Sequence, residues 1–138
     1  MKVLIDTNVA LNVITKRPDP NSAESLQILS LCADGTLDGY LAFHSLSTIW
    51  YVTRRFPEYQ RREWLKQLCE ILSVASADQT AILHAIDNEL FHDFEDNLQD
   101  CCAEGVQADY IVTANVKDYE KVSIVPAVTP AQLLELFK

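Results

Sequence analysis

Apolar positions along the chain follow two patterns. Short runs of aliphatic and β-branched residues alternate with longer stretches in which apolar residues recur every three or four positions. The short runs predict strands at 2–6, 39–43, 74–76, 109–113 and 123–125. The longer stretches predict helices at 8–15, 21–33, 44–55, 57–72, after Asp78, 93–105 and from Pro130 onward. Punctuation supports these boundaries. Asp34-Gly35 ends one helix, Asn21 with Glu24 and Asp78 open others, and Thr129-Pro130-Ala131-Gln132 reads as a capping box with proline at the first helical position. On the 93–105 helix, Phe94, Leu98, Cys101 and Gly105 form the stripe expected to face a core, and Asp93, Asp96 and Asp100 share a polar arc.

Strands separated by helices, joined by connections far longer than hairpins, predict an α/β fold with a mostly parallel sheet. The 138 residues, 49% of them apolar, suit a single domain spanning 1–138 with a real core and exclude a disordered chain. No apolar stretch approaches the roughly 20 residues that a membrane-spanning helix needs, and the first residues lack the pattern of a signal peptide. Cys32, Cys69, Cys101 and Cys102 show no CxxC spacing, so free thiols in a cytoplasmic protein are the plain expectation.

Charge changes the picture when it is partitioned. The formal net charge of −9 argues against the basic footprint common to nucleic-acid binders. Residues 1–69, however, carry 8 basic and 7 acidic side chains, whereas residues 70–138 carry 3 and 13. No Lys or Arg occurs between Lys66 and Lys117, and Arg54, Arg55, Arg61 and Arg62 form a short basic cluster. These arginines either grip phosphates or line a solvated helix face.

The candidate chemistry lies at strand ends, because α/β sheets bind ligands beyond the carboxyl edge. Asp6 closes the first predicted strand, and Asn115 and Asp118 follow the DYIVT strand directly. Asp96 lies in the first turns of its helix. Each residue also has an ordinary explanation: helix capping for Asp6, a solvated face for Asp96, turn chemistry for Asn115 and Asp118. Yet three acids from distant segments gathered at one edge repel one another unless a cation joins them. Mg²⁺ and Mn²⁺ accept such oxygen ligands, and can activate water and offset phosphoryl charge.

At this point the sequence resembles the PIN domain, the nuclease domain of bacterial toxins of toxin–antitoxin modules. The resemblance rests on VLIDTNVALNVI, DFEDNLQDCCAEGVQADYIVTANVKDY and IVPAVTPAQLLELF, in that order and spacing. It implies a three-layer α/β/α sandwich and Mg²⁺- or Mn²⁺-dependent hydrolysis of RNA, with a 5′-phosphate product, a small antitoxin partner and a homodimer. It implies Asp6, Asp96 and Asp118 as metal-holding acids, with Asn115 beside them and Thr7, Asn8 and Thr113 in support. One departure matters. The family usually carries a Glu on the helix after the second strand, and the matching position here is Thr48, with no acid anywhere between Asp38 and Glu58. Two readings follow: a nuclease with a variant acidic site in which Thr48, Ser45 or His44 binds through water, with His44 alone better read as a helix-start or core residue, or a catalytically degenerate module that binds RNA or protein.

Overall fold

The short apolar runs become the strands of one sheet in the computed structural model, which describes residues 1–137; Lys138, the last residue of the expected domain, lies outside them. The strands are β1 (Lys2–Ile5), β2 (Asp38–Ala42), β3 (Ser73–Ala75), β4 (Tyr110–Val112) and β5 (Ala127–Val128). Every pairing is parallel, and the spatial order is β3-β2-β1-β4-β5. The helices are α1 (Thr7–Ile14), α2 (Ser22–Ala33), α3 (Phe43–Val52), α4 (Glu58–Ile71), α5 (Gln79–Asp87), α6 (Phe94–Gly105) and α7 (Pro130–Glu135). Among the described residues, no helix is long and apolar enough to cross a membrane.

The period-two geometry of strands sorts the core into two halves. Val3, Ile5, Leu41 and Val112 leave the sheet on one side, where they meet Val9 and Leu11 of α1, Ile28 and Leu29 of α2, Leu68 of α4 and Leu133 of α7. Leu4, Ala42, Ala75 and Ile111 leave on the other, where they meet Phe91, Cys102, Ala103 and Tyr119. Both faces are therefore covered, which is why the strands read as continuous apolar runs instead of alternating ones. Burying each aliphatic side chain of Leu or Val size contributes about 1.5–3 kcal/mol. The result is the expected α/β/α sandwich.

Helix starts follow local hydrogen bonding. The Asp78 side chain accepts from the Ala81 N–H, Asp93 accepts from the Glu95 N–H, and Thr129 with Gln132 forms the complete capping box. Asn21 precedes α2 but makes no side-chain cap bond.

Two expectations fail. Residues 123–125 were expected to be the last strand, yet β5 lies at Ala127–Val128. The Ile124 N–H donates to both carboxylate oxygens of Asp100 at 3.0 and 3.1 Å, and the Val125 N–H donates to its Oδ1 at 2.9 Å. Those two donors are thus withheld from the sheet, and pairing begins at Pro126, whose carbonyl accepts from the Ile111 N–H at 2.9 Å. The orientation of α6 also differs from the expected one. Asp100 is buried, together with Asn97, Gln99, Cys102 and Ala103, whereas Phe94 is exposed. Burial pushes the Asp100 carboxyl up, and the two N–H donors hold it down. A buried acceptor so committed is expensive to remove. Asp100→Ala is expected to destabilise the fold by about 1–3 kcal/mol, read as a lower urea midpoint with an unchanged slope. Asp100→Asn should recover only part of this, since one amide oxygen replaces two acceptors. Wild-type stability in Asp100→Ala would contradict the assignment.

Candidate active site

The order of the strands creates the site. From β1 the chain moves to β2 and β3 on one side, then returns through α5 and α6 to β4 on the other side of β1. The segments that leave β1 and β4 therefore diverge, opening a crevice at the carboxyl edge of the sheet. Asp6 sits at its centre. Its N–H donates to the Val112 carbonyl at 2.9 Å, so the residue is pinned to the end of β4 as it leaves β1. It is also the N-cap of α1, with extended backbone (φ −62°, ψ 149°). Its Oδ1 accepts from the Thr7 N–H at 2.8 Å and its Oδ2 from the Thr113 hydroxyl at 2.8 Å. The Thr113 hydroxyl in turn accepts from the Asn115 N–H at 3.1 Å, which shapes the turn after β4.

The other acids approach from α6 and from that turn. Asp96 lies in the first turn of α6, and the Tyr119 hydroxyl donates to its Oδ1 at 3.3 Å. Asp118 is exposed in a 3₁₀ turn, Val116–Asp118. Burial, followed by the negative charges of Asp6, Asp93 and Asp118, pushes the Asp96 carboxyl up to about 7. Asp6 is also raised by burial, against the opposing hydrogen bonds from Thr113 and Thr7, and Glu95 raises it further. Tyr119 is 1% exposed, and burial among these acids raises its phenol far beyond physiological pH. It therefore stays an O–H donor between carboxylates. None of Asp6, Glu95, Asp96 or Asp118 has a salt-bridge partner among the described residues.

Beneath the acids a buried polar triangle ties three helices together. The Thr7 and Ser45 hydroxyls are 2.7 Å apart, and the Gln99 amide Nε2 donates to both at 2.9 Å. Thr7 begins α1, Ser45 lies in α3 and Gln99 lies in α6, so the bonds fix the helix ends that carry Asp6 and Asp96. Gln99 Oε1 is buried without a partner. At the rim, the Thr48 hydroxyl of α3 donates to Glu95 Oε1 at 3.2 Å. His44 lies beside Glu95. Burial lowers its imidazole, while the Glu95 charge and backbone favour the protonated ring.

The expected residues thus fall into three groups. Asp6, Asp96, Asp118 and Thr113 come together at one edge. Thr7 serves through its backbone N–H and the triangle below. Asn8 is exposed and makes no hydrogen bond to the acids, and Asn115 is exposed on the turn. The arginines lie on and just before α4. Arg61 stacks on the Trp50 ring, 3.7 Å from its centroid, and donates to the Trp50 carbonyl. Arg62 pairs with Glu58 at 3.0 Å, Arg54 lies over the Tyr51 ring at 4.3 Å, and Arg55 is exposed. Sequence reasoning missed Tyr119, Gln99 and Glu95. Only Gln99 left a usable signal, since a polar residue one helical turn from Asp96 faces the same way.

Among the described residues, no three or more His, Cys, Asp or Glu side chains form a ready metal cage. The donor chemistry nonetheless suits a hard divalent ion. The converging groups offer only oxygen, and burial first, then the charges of Asp6, Asp93 and Asp118, raises the Asp96 carboxyl to about 7. Mg²⁺ in particular keeps several waters and binds through one or two carboxylates plus substrate phosphate, without an all-protein cage.

Comparisons with known proteins agree with this architecture. No curated protein sequence matches the chain. A VapBC2 complex from Rickettsia felis bound to a DNA fragment from its promoter shares 17% identity, covering 94% of this chain and 98% of that one, with a TM-score of 0.73. VapBC-1 from nontypeable Haemophilus influenzae shares 16% identity over 95% and 99%, with a TM-score of 0.67. VapC20 from Mycobacterium tuberculosis, a sarcin-ricin loop cleaving toxin, shares 14% over 90% and 99%, with a TM-score of 0.65. At such identities these likenesses show a common fold. The family model of the PIN domain matches residues 2–117, nearly the whole chain. With an acid at the end of β1, a second opening α6 and a third past β4, the chain belongs to the PIN domain family.

Proposed function

We propose that this PIN domain is a ribonuclease dependent on Mg²⁺ or Mn²⁺, acting in the cytoplasm as the toxin of a toxin–antitoxin pair. The observation that carries the reading is the convergence of Asp6, Asp96 and Asp118 at the β1/β4 crevice without a protein cation to balance them. Asp6 and Asp96 would hold the ion, with Asp118 acting directly or through water. When bound, such an ion lowers the pKa of water and offsets charge on the scissile phosphate.

The chain's own groups do the rest. Thr113 and the Thr7 N–H each occupy one lone pair of Asp6 and fix its plane. Tyr119 donates to Asp96 and orients it. Asn115, at the rim, is placed to position a water or the ribose. Exposed Arg54 and Arg55 are available for RNA phosphates, and Arg62 can exchange its exposed pair with Glu58, worth at most about 1 kcal/mol, for a phosphate. Arg61 is committed to Trp50 and shapes the patch. A small antitoxin covering this edge, and a homodimer, complete the proposed assembly; the VapBC likenesses support the antitoxin. Thr48 in place of an acid favours the second reading, a PIN scaffold that binds without hydrolysis.

Two measurements test the reading. The purified chain should cleave RNA with Mg²⁺ or Mn²⁺ and not in excess EDTA. Asp6→Asn or Asp96→Asn should lower the rate at least about 10²-fold. Cleavage persisting in EDTA or in Asp6→Asn would refute the mechanism, and Mn²⁺ binding without any cleavage would favour the binding module.

The second test is pH. The carboxyl of Asp96 is raised above its unfolded value of 3.8, to about 7. Its contribution to stability is therefore full below pH 4 and is lost as pH rises through 7. In metal-free protein, melting temperature should fall between pH 5 and pH 8, and Asp96→Asn should flatten that fall. An equally steep fall in Asp96→Asn would show that other groups dominate.

A further inference from the structure

A strand that crosses the crevice must also leave it, and surface charge sets the way out. No Lys or Arg occurs in 67–116, so α5 and α6 meet a phosphate chain with acids alone. The α3 side differs. Residues 39–53 hold no Asp, Glu, Lys or Arg, and Arg54 and Arg55 follow directly. The helix also starts at the crevice. Leu41 pairs with Ile5, so β2 ends level with β1, and the Ser45 hydroxyl of α3 meets that of Thr7 beside Asp6.

The outward stripe of α3 is Phe43, Ser47 and Tyr51, within an arc of about 80° at 100° per residue. Phe43 and Tyr51 are each 64% exposed, and two large rings left in water on one stripe mark a contact surface. Arg54 lies over the Tyr51 ring, 4.3 Å from its centroid, and donates to the Tyr51 carbonyl at 3.1 Å. Neither Arg54 nor Arg55 has a salt-bridge partner among the described residues. A protein partner would have to bring acids to meet them, whereas a nucleic-acid strand already carries its phosphates. The rings lie about 12 Å apart along the helix axis, at 1.5 Å per residue. Duplex bases repeat every ~3.4 Å and stay stacked on one another, so a duplex cannot lay bases on both rings.

We propose that Phe43 and Tyr51 are stacking platforms for two unpaired bases of the RNA, with Arg54 and Arg55 holding the phosphates beyond them. This rests on the ribonuclease reading above and names its substrate on the α3 side of the crevice: a single strand, gripped by the flat faces of its bases and not by their edges.

The test is fluorescence anisotropy of the full chain with a short labelled RNA that cannot self-pair, in EDTA, so that binding is read whether or not the chain cleaves. Tyr51→Ala and Phe43→Ala are each expected to weaken binding about 5–150-fold, with melting temperature unchanged because both side chains are exposed. Tyr51→Trp should retain affinity. An abasic strand of the same length should bind wild type and Tyr51→Ala alike, and a duplex should not sense either substitution. Equal affinity of wild type and both alanine variants for the unpaired RNA would overturn the inference, as would equal affinity of the wild type for the abasic strand. A wild type that binds no RNA but forms a dimer in sedimentation, lost in Tyr51→Ala, would overturn it in favour of a protein interface. Ring-dependent binding without cleavage in Mg²⁺ or Mn²⁺ would uphold the platforms and refute only the hydrolysis.

Discussion

Mutual repulsion among carboxylates at the end of β1 is the constraint around which the rest of this molecule is arranged. Asp6 and Asp118 act on Asp96, and Glu95 on Asp6, through partly buried surroundings, where charge is screened less than in water. Left alone, such groups would swing apart or draw the helix ends with them. What opposes them is a set of buried and part-buried hydrogen bonds. Thr113 and the Thr7 N–H hold Asp6, Tyr119 holds Asp96, and the Thr7–Ser45–Gln99 triangle fastens α1, α3 and α6 beneath them. Every donor in this set is neutral. The charge is positioned but not neutralised, which is the condition under which an added divalent ion gains most.

The scaffold makes this possible through topology. Because β4 lies beside β1 while β2 lies on its other side, the chain leaving each strand turns away from its neighbour and leaves a crevice. Two separate apolar layers then hold the sheet rigid from both faces. Asp100 belongs to this supporting structure. Its carboxylate captures the Ile124 and Val125 N–H groups and sets where β5 can begin. An acid four residues from Asp96 therefore has a purely architectural task, and sequence proximity to the site says nothing about function.

Most of the fold was legible because it depends on local signals. Apolar runs located four of the five strands, and Asp78, Asp93 and the Thr129 capping box located helix starts. The failures came where distant groups compete. Residues 123–125 look like a strand by composition, but their N–H groups bond to a side chain 24 or 25 positions away. The orientation of α6 could not be read from its apolar stripe, since the helix buries Asn97, Gln99 and Asp100 in preference to Phe94. Asp6 and Asp118 were singled out because they follow strands, and the structure brings them to one edge with Asp96 of α6. Tyr119 was not singled out, because an aromatic in a helix-rich chain carries no distinguishing pattern until its partner is known. Net charge was the least informative guide, because the sum of −9 hides a near-neutral first half and an acidic second half that holds most of the crevice acids.

The account stands or falls on a divalent ion at the crevice between β1 and β4. The most direct measurement is a crystal of the protein grown with Mn²⁺, examined by anomalous diffraction at the manganese edge. A peak bounded by Asp6 and Asp96, with Asp118 within reach of the ion or of one of its waters, is the predicted result. A crystal that shows Mn²⁺ elsewhere, and ordered carboxylates with no ion between them, would contradict it.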